Sequence, residues 1–466
     1  MASRGHLLLA LLVLAAAATA AASGGRHQRP RGRKPARPRL ELVPAAPGAS
    51  LSDRARDDLH RHAYIRSQLA SSRRGRRAAE VGASAFAMPL SSGAYTGTGQ
   101  YFVRFRVGTP AQPFVLVADT GSDLTWVKCR GAGAAAGTGA GSPARVFRTA
   151  ASKSWAPIAC SSDTCTSYVP FSLANCSSPA SPCAYDYRYR DGSAARGVVG
   201  TDSATIALSS GSGRGGGDSS GGRRAKLQGV VLGCAATYDG QSFQSSDGVL
   251  SLGNSNISFA SRAAARFGGR FSYCLVDHLA PRNATSYLTF GPGATAPAAQ
   301  TPLLLDRRMT PFYAVTVDAV YVAGEALDIP ADVWDVDRNG GAILDSGTSL
   351  TILATPAYRA VVTALSKHLA GLPRVTMDPF EYCYNWTDAG ALEIPKMEVH
   401  FAGSARLEPP AKSYVIDAAP GVKCIGVQEG SWPGVSVIGN ILQQEHLWEF
   451  DLRDRWLRFK HTRCAL

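Results

Sequence analysis

Two stretches of this 466-residue chain end an apolar run on a carboxylate followed by a tight turn. Phe114-Val115-Leu116-Val117-Ala118 leads into Asp119-Thr120-Gly121-Ser122, and Gly341-Ala342-Ile343-Leu344 leads into Asp345-Ser346-Gly347-Thr348. Average residue usage puts one such Asp-Thr/Ser-Gly-Ser/Thr tetrapeptide in roughly a few per cent of chains of this length. Two of them, each after an apolar strand and 226 residues apart, point to one device used twice. Asx turns after buried strands would account for the Asp and the Gly, but not for the repetition.

Two carboxylates brought close together do not both ionise easily, so the pair holds one proton in acid; dyads of this kind are themselves the type case of the effect. The ionised member can take a proton from a water between them while the protonated member donates to a carbonyl. Water then attacks directly and no covalent intermediate forms. Gly121 and Gly347 permit close backbone approach, and N–H groups there can orient the carboxylates. Thr120 and Ser346 complete the turns, and Ser122 and Thr348 are placed to bond the outer carboxylate oxygens. The protons belong to the pair and not to either residue.

The elements that must position these turns read as short strands. They are expected at Gln100–Val107, Phe114–Ala118, Leu227–Leu232, Tyr313–Val322, Gly341–Leu344, Met397–Phe401 and Val435–Ile438. One helix is well marked, with Thr355 as N-cap, Pro356 first, Tyr358, Val361, Val362, Leu365 and Leu369 on its apolar face, and Gly371 as its stop. Many strands and few helices predict an all-β protein, and the length allows two lobes. The Gly/Ser-rich segments at 131–142 and 209–222 read as surface loops. Gly217-Asp218-Ser219-Ser220-Gly221 formally matches a serine-hydrolase elbow, but a Gly/Ser run is not the strand–helix turn such an elbow needs.

The first segment has the pattern of a cleaved leader: Arg4, then an apolar run from Leu7 to Ala22 that is short for a membrane span. Residues 23–86 carry 15 Arg or Lys against 5 Asp or Glu, so most of the net charge of +14 sits in this segment. That distribution argues against nucleic acid as a partner of residues 87–466. Leu51 to Ala70 is expected as a helix with Ser52 as N-cap. All ten cysteines lie beyond residue 128, and their even number fits an oxidising compartment. No Cys-x-x-Cys pair suggests zinc, and neither a metal nor another cofactor is expected. Asn175, Asn256, Asn283 and Asn385 head glycosylation sequons.

With these motifs in place, the chain resembles the pepsin-like aspartic proteases, specifically their plant nepenthesin-like and chloroplast-nucleoid branch, over about residues 95–466. The likeness also rests on Tyr101-Phe102, Val107-Gly108-Thr109-Pro110, Trp126, Phe271-Ser272-Tyr273-Cys274-Leu275, Val437-Ile438-Gly439-Asn440 and Cys464. It implies a bilobal fold of two β-barrel-like lobes, 87–299 and 300–466, with a cleft between them and Asp119 and Asp345 as the catalytic pair. It implies a flap over Tyr187–Ser193 that includes Gly192 and Ser193, with Tyr189 bonded to Trp126; turn chemistry by itself also puts a hairpin tip at Asp191-Gly192. It also implies the pairs Cys129–Cys234, Cys160–Cys165, Cys176–Cys183, Cys274–Cys464 and Cys383–Cys424; sequence alone permits many others. Two positions depart from the family pattern: Arg190 stands for a flap Gly, and Ser251 for the Gly packed behind the first catalytic loop.

The resemblance implies an aspartic-type endopeptidase acting on peptide or protein substrates, made as a zymogen, with 1–22 as signal peptide and 23–86 as a basic prosegment. Basic side chains of that segment are expected near the carboxylates, released as acid protonates the acids. A catalytically weak or inactive pepsin-fold binder or inhibitor of other enzymes is the alternative reading. The expected form is a monomer without a stable membrane span, secreted to the apoplast, with vacuole and chloroplast as alternatives.

Overall fold

The computed structural model describes residues 39–44, helical positions 51, 55, 58, 62 and 65, and residues 101–129, 145–169, 178–188, 194–207, 224–239, 246–280, 286–291, 299–390 and 392–464. The leader, both Gly/Ser-rich loops with the elbow match, and Asn175 and Asn283 lie outside them. The described residues fall in one compact unit, Arg37–Ser209 with Ser219–Leu466. Its fold is all-β and bilobal, with few helices.

Each lobe is built around the same three-strand arrangement. In the first, strand Gln112–Asp119 pairs in parallel with Gly248–Ser251, setting Asp119 beside Ser251, and Gly248–Ser251 pairs antiparallel with Trp126–Lys128. In the second, Ala342–Asp345 pairs in parallel with Ser436–Gly439, setting Asp345 beside Gly439, and Ser436–Gly439 meets Thr351–Ala354 antiparallel. All four residues of Ala342–Asp345 are buried, as a strand covered on both faces requires. Tyr101–Val107 instead exposes Arg104 and Arg106, and its antiparallel pairing with Gln112–Asp119 holds the first Asp strand from its other side.

Strands Arg270–Cys274, His446–Asp451 and Trp456–His461 continue this large sheet, and the Cys274–Cys464 disulfide ties its end. Stacked Phe271 and Phe450, with ring centroids 4.7 Å apart, pack against Tyr313 at its centre. Residues Arg39–Pro44 enter the same sheet between Tyr101–Val107 and Ser286–Phe290, so part of the basic N-terminal segment is structured.

The marked helix forms at Thr355–His368 and buries Ala357, Tyr358, Val361, Val362 and Leu365. Its start differs from expectation. Ala354 is the N-cap, without a side-chain bond, and the Thr355 hydroxyl donates to the Gly430 carbonyl at 2.8 Å instead. Thr355 therefore ties the helix to the neighbouring strand Val427–Gly430. No helix among the described residues is long and apolar enough to cross a membrane.

Candidate active site

Asp119 and Asp345 end their strands fully buried. Each carboxylate is held from behind by the N–H two residues on, because the turn folds that N–H back over the side chain. Gly121 N donates to Asp119 Oδ1 at 3.0 Å and Gly347 N to Asp345 Oδ1 at 2.9 Å. Such bonds orient a carboxylate and favour its charged form.

The two turns are locked to each other. Thr120 N donates to Ser346 Oγ at 3.0 Å, and Ser346 N donates to Thr120 Oγ1 at 2.9 Å. The hydroxyls then donate across the junction, Ser346 Oγ to the Ala118 carbonyl at 3.0 Å and Thr120 Oγ1 to the Leu344 carbonyl at 3.3 Å. These four bonds join the residues that flank both carboxylates, in a buried setting where leaving any one unmade is costly.

The outer hydroxyls break the symmetry. Thr348 Oγ1 donates to Asp345 Oδ2 at 2.7 Å, as the spacing suggests. Ser122 Oγ does not reach its carboxylate; it donates to the main-chain oxygen of Asp119 at 3.2 Å. Asn440, which ends the Val437–Asn440 motif, adds a brace: its Nδ2 donates to the Ser346 carbonyl at 3.0 Å and its N–H to Thr348 O at 2.7 Å. Tyr273, buried and bonded to Gln443, has its hydroxyl pushed up by burial and further by the nearby charge of Asp345.

Ser251 is accommodated behind the first turn. Its hydroxyl lies 2.8 Å from Thr125 Oγ1 and accepts the Phe259 N–H at 3.0 Å, at the start of helix Phe259–Arg266. The other lobe has no such room. A Cβ on Gly439 would fall 2.3 Å from the Leu350 carbonyl oxygen.

Asp123 went unnoticed as a sequence feature, although it directly follows the first motif. It is fully buried, and neither of its carboxyl oxygens makes a hydrogen bond of ordinary geometry among the described residues. Burial pushes this carboxyl well above its ordinary range, against its own and the Leu124 N–H groups, and the charge of Asp119 adds to the rise.

The flap is carried by strands Ala184–Arg188 and Ala194–Ala207, whose register pairs Arg188 with Ala194. Tyr189, Arg190, Gly192 and Ser193 lie outside the described residues. Trp126 is fully buried and sits beside Val249 and Gly233.

Disulfides join Cys129–Cys234, Cys274–Cys464 and Cys383–Cys424. The expected Cys160–Cys165 and Cys176–Cys183 pairs are corrected, because Cys165 is bonded to Cys183, with Cα atoms 5.8 Å apart. The single helical turn at Thr164–Tyr168 turns Cys165 inward, toward the strand side where Cys183 is buried. Cys160 is also in a disulfide, and Cys176 lies outside the described residues. Of the sequons, Asn256 is exposed, while Asn385 is half-buried and its Oδ1 accepts the Thr387 N–H.

The N-terminal helix reaches this site by an unexpected route. Leu51, Ala55, Asp58, His62 and Ile65 form its buried face, a 4-3-4-3 spacing readable in the sequence. Basic residues were expected to lead here; among the described residues the contact is made by an acid. Asp58 Oδ1 accepts the Ser349 N–H at 2.7 Å and its Oδ2 accepts the Leu350 N–H, four and five residues past Asp345.

The chain matches two family models, described as xylanase inhibitor N-terminal over residues 101–292 and xylanase inhibitor C-terminal over 312–461. It is 33% identical over 395 residues to aspartyl protease family protein 2 of Arabidopsis thaliana, covering 82% of this chain and 74% of that protein. It is 28% identical over 377 residues to aspartic proteinase nepenthesin-2 of Nepenthes gracilis, covering 80% and 79%. Among solved structures, edgp superposes with a TM-score of 0.61 at 21% identity, covering 81% of this chain and 95% of that one. Soybean basic 7S globulin does so at 0.57 and 18%, covering 82% and 96%, a likeness of fold alone.

Proposed function

The chain belongs to the plant pepsin-like aspartic proteases, and on that premise we propose that it is an acid endopeptidase in which Asp119 and Asp345 activate a water against the scissile carbonyl. The observation that carries the reading is the reciprocal Thr120–Ser346 lock. Its four buried bonds fix the two carboxylate turns against each other, which is what a pair of carboxyls sharing one proton requires. In this reading the protonated carboxyl donates to the substrate carbonyl, the ionised one takes the water proton, and Gly121, Gly347 and Thr348 hold both in place. Tyr189 would close over an extended peptide from the flap, with Trp126 beneath it.

Residues 1–22 act as a secretory leader and 23–86 as a prosegment in this proposal, which makes the product a secreted zymogen. The match to xylanase-inhibitor models supports the rival reading of a pepsin-fold binder, and one experiment separates the two. Purified full-length chain is incubated with a protein substrate from about pH 3 to pH 7, with and without pepstatin, beside Asp119→Asn. Pepstatin-sensitive cleavage in acid, absent from Asp119→Asn, is expected. Cleavage surviving in the mutant would remove the dyad mechanism, and none from either protein would favour the binder.

A further inference from the structure

Ser349 and Leu350 present two adjacent backbone N–H groups to a carboxylate 291 residues away in the chain. Asp58 meets them with one oxygen each and is 2% exposed. Two N–H groups bonded to the two oxygens of one buried carboxylate make a bidentate anion site built from backbone.

The first lobe has a counterpart of this position. Shifted by the 226 residues that relate the two turns, Ser349 and Leu350 correspond to Asp123 and Leu124. There the loop carries its own acid, whose carboxyl oxygens make no ordinary hydrogen bond among the described residues. Ser349 supplies no acid, and the N-terminal segment brings Asp58 to the two N–H groups instead.

We propose that the Ser349–Leu350 N–H pair is a carboxylate-binding site on the loop of the second catalytic Asp, that Asp58 is its built-in ligand, and that acid releases the N-terminal helix by protonating Asp58. The proposal rests on residues 23–86 being a prosegment, and it gives that segment a specific grip. Around the carboxylate, Leu51 and Ala55 pack in one apolar cluster with Leu350, Phe380, Ile416 and Ile441, and Gln428 Nε2 donates to the Ala55 carbonyl at 2.6 Å. His62 Nε2 sits 3.1 Å from the Val435 carbonyl oxygen beside Gly430, where a Cβ would come within 2.5 Å of the ring.

Among the described residues, other titratable groups on the packed elements have partners of their own. Asp345 is held by Thr348 and Gly347, Glu381 accepts from the Tyr358 hydroxyl, Glu429 faces Arg359, and Lys423 pairs with Asp417. A protonated His62 still carries the Nε2 hydrogen that its bond to Val435 needs, so acid does not break that contact. Asp58 differs: a proton removes its charge and turns one of its two acceptors into a donor facing an N–H.

Amide hydrogen exchange tests this in the full-length chain carrying Asp119→Asn, so that self-cleavage does not confuse the reading. At about pH 6.5, adding Asp58→Ala is expected to speed exchange at Ser349 and Leu350 by about tenfold or more, the scale of a lost charge-assisted pair. In the chain that keeps Asp58, protection at the same amides, corrected for intrinsic rates, is expected to fall toward that level on acidification. Val437 and Ile438 should stay protected throughout. Equal protection with and without Asp58 overturns the site, and protection that survives acid overturns the release. If Asp58→Ala does not fold, the acid series on the parent chain decides alone. Amide exchange needs no catalysis, so a chain without peptidase activity would refute the proposed function and leave this test intact.

Discussion

Thr120 and Ser346 exchange hydrogen bonds across the two lobes, each backbone N–H donating to the other's side-chain hydroxyl at 3.0 and 2.9 Å. Neither residue titrates, yet each is as tightly placed as the carboxylate beside it. The relation makes the two turns one mechanical unit, because moving either displaces a buried N–H from its acceptor.

Removing one hydroxyl should therefore cost more than its own bond. Ser346→Ala removes the hydroxyl that accepts from Thr120 N and donates to the Ala118 carbonyl, and a loss of about 1–3 kcal/mol is expected in denaturant unfolding. Thr120→Val should cost a similar amount. The double mutant should lose less than the sum of the two, since both belong to one network.

The outer hydroxyls should separate in a pH–rate profile. Thr348→Ala removes a donor to the Asp345 carboxylate, so the ionised form is less favoured and the acid limb of the bell moves to higher pH. Ser122→Ala removes a bond to a main-chain oxygen and should leave both limbs in place. Equal shifts in the two variants would contradict the asymmetry.

Ser251 and Gly439 occupy matching register positions but should not tolerate each other's residue. Ser251→Gly leaves the buried Phe259 N–H without its acceptor and should cost about 1–3 kcal/mol. Gly439→Ser drives a Cβ into the Leu350 carbonyl and should cost about 3 kcal/mol or more, since backbone has to move. Thermal unfolding of the two variants measures both.

Asp123 should make the fold acid-tolerant. Its folded carboxyl is raised above the ordinary value of 3.8, chiefly by burial. The stability this gives is therefore full below that value and is lost as pH rises toward the raised one, because the unfolded chain releases the proton first. Asp123→Asn, neutral at every pH, should be more stable than the parent at neutral pH and should lose this advantage in acid. Unfolding midpoints across pH read the crossover, and parallel curves would show that Asp123 is ionised in the fold.

Much of the site was legible because its chemistry is local. Asp119 and Asp345, their glycines and the apolar strands before them are contiguous, and their spacing needs no partner to be read. The face of helix Thr355–His368 was legible for the same reason, since its period is carried by neighbouring residues. Its first residue was misread because a threonine can cap its own helix or bond elsewhere, and here Gly430 offers the acceptor. The Cys165–Cys183 pair was missed because pairing depends on which sulfurs the folded chain turns inward, and spacing does not carry that information.

That two carboxylates end two equivalent strands is written in local sequence, because each Asp follows its own apolar run and precedes a glycine whose N–H folds back onto it. Tertiary structure alone decided how those turns meet. The Thr120–Ser346 lock, the divergence of Ser122 from Thr348, the room for Ser251 but not for a side chain at 439, and the capture of Asp58 all join segments up to hundreds of residues apart. The reason is directional. A hydrogen bond needs its acceptor within a few tenths of an ångström of one place, and over such separations only the packed sheets set that place.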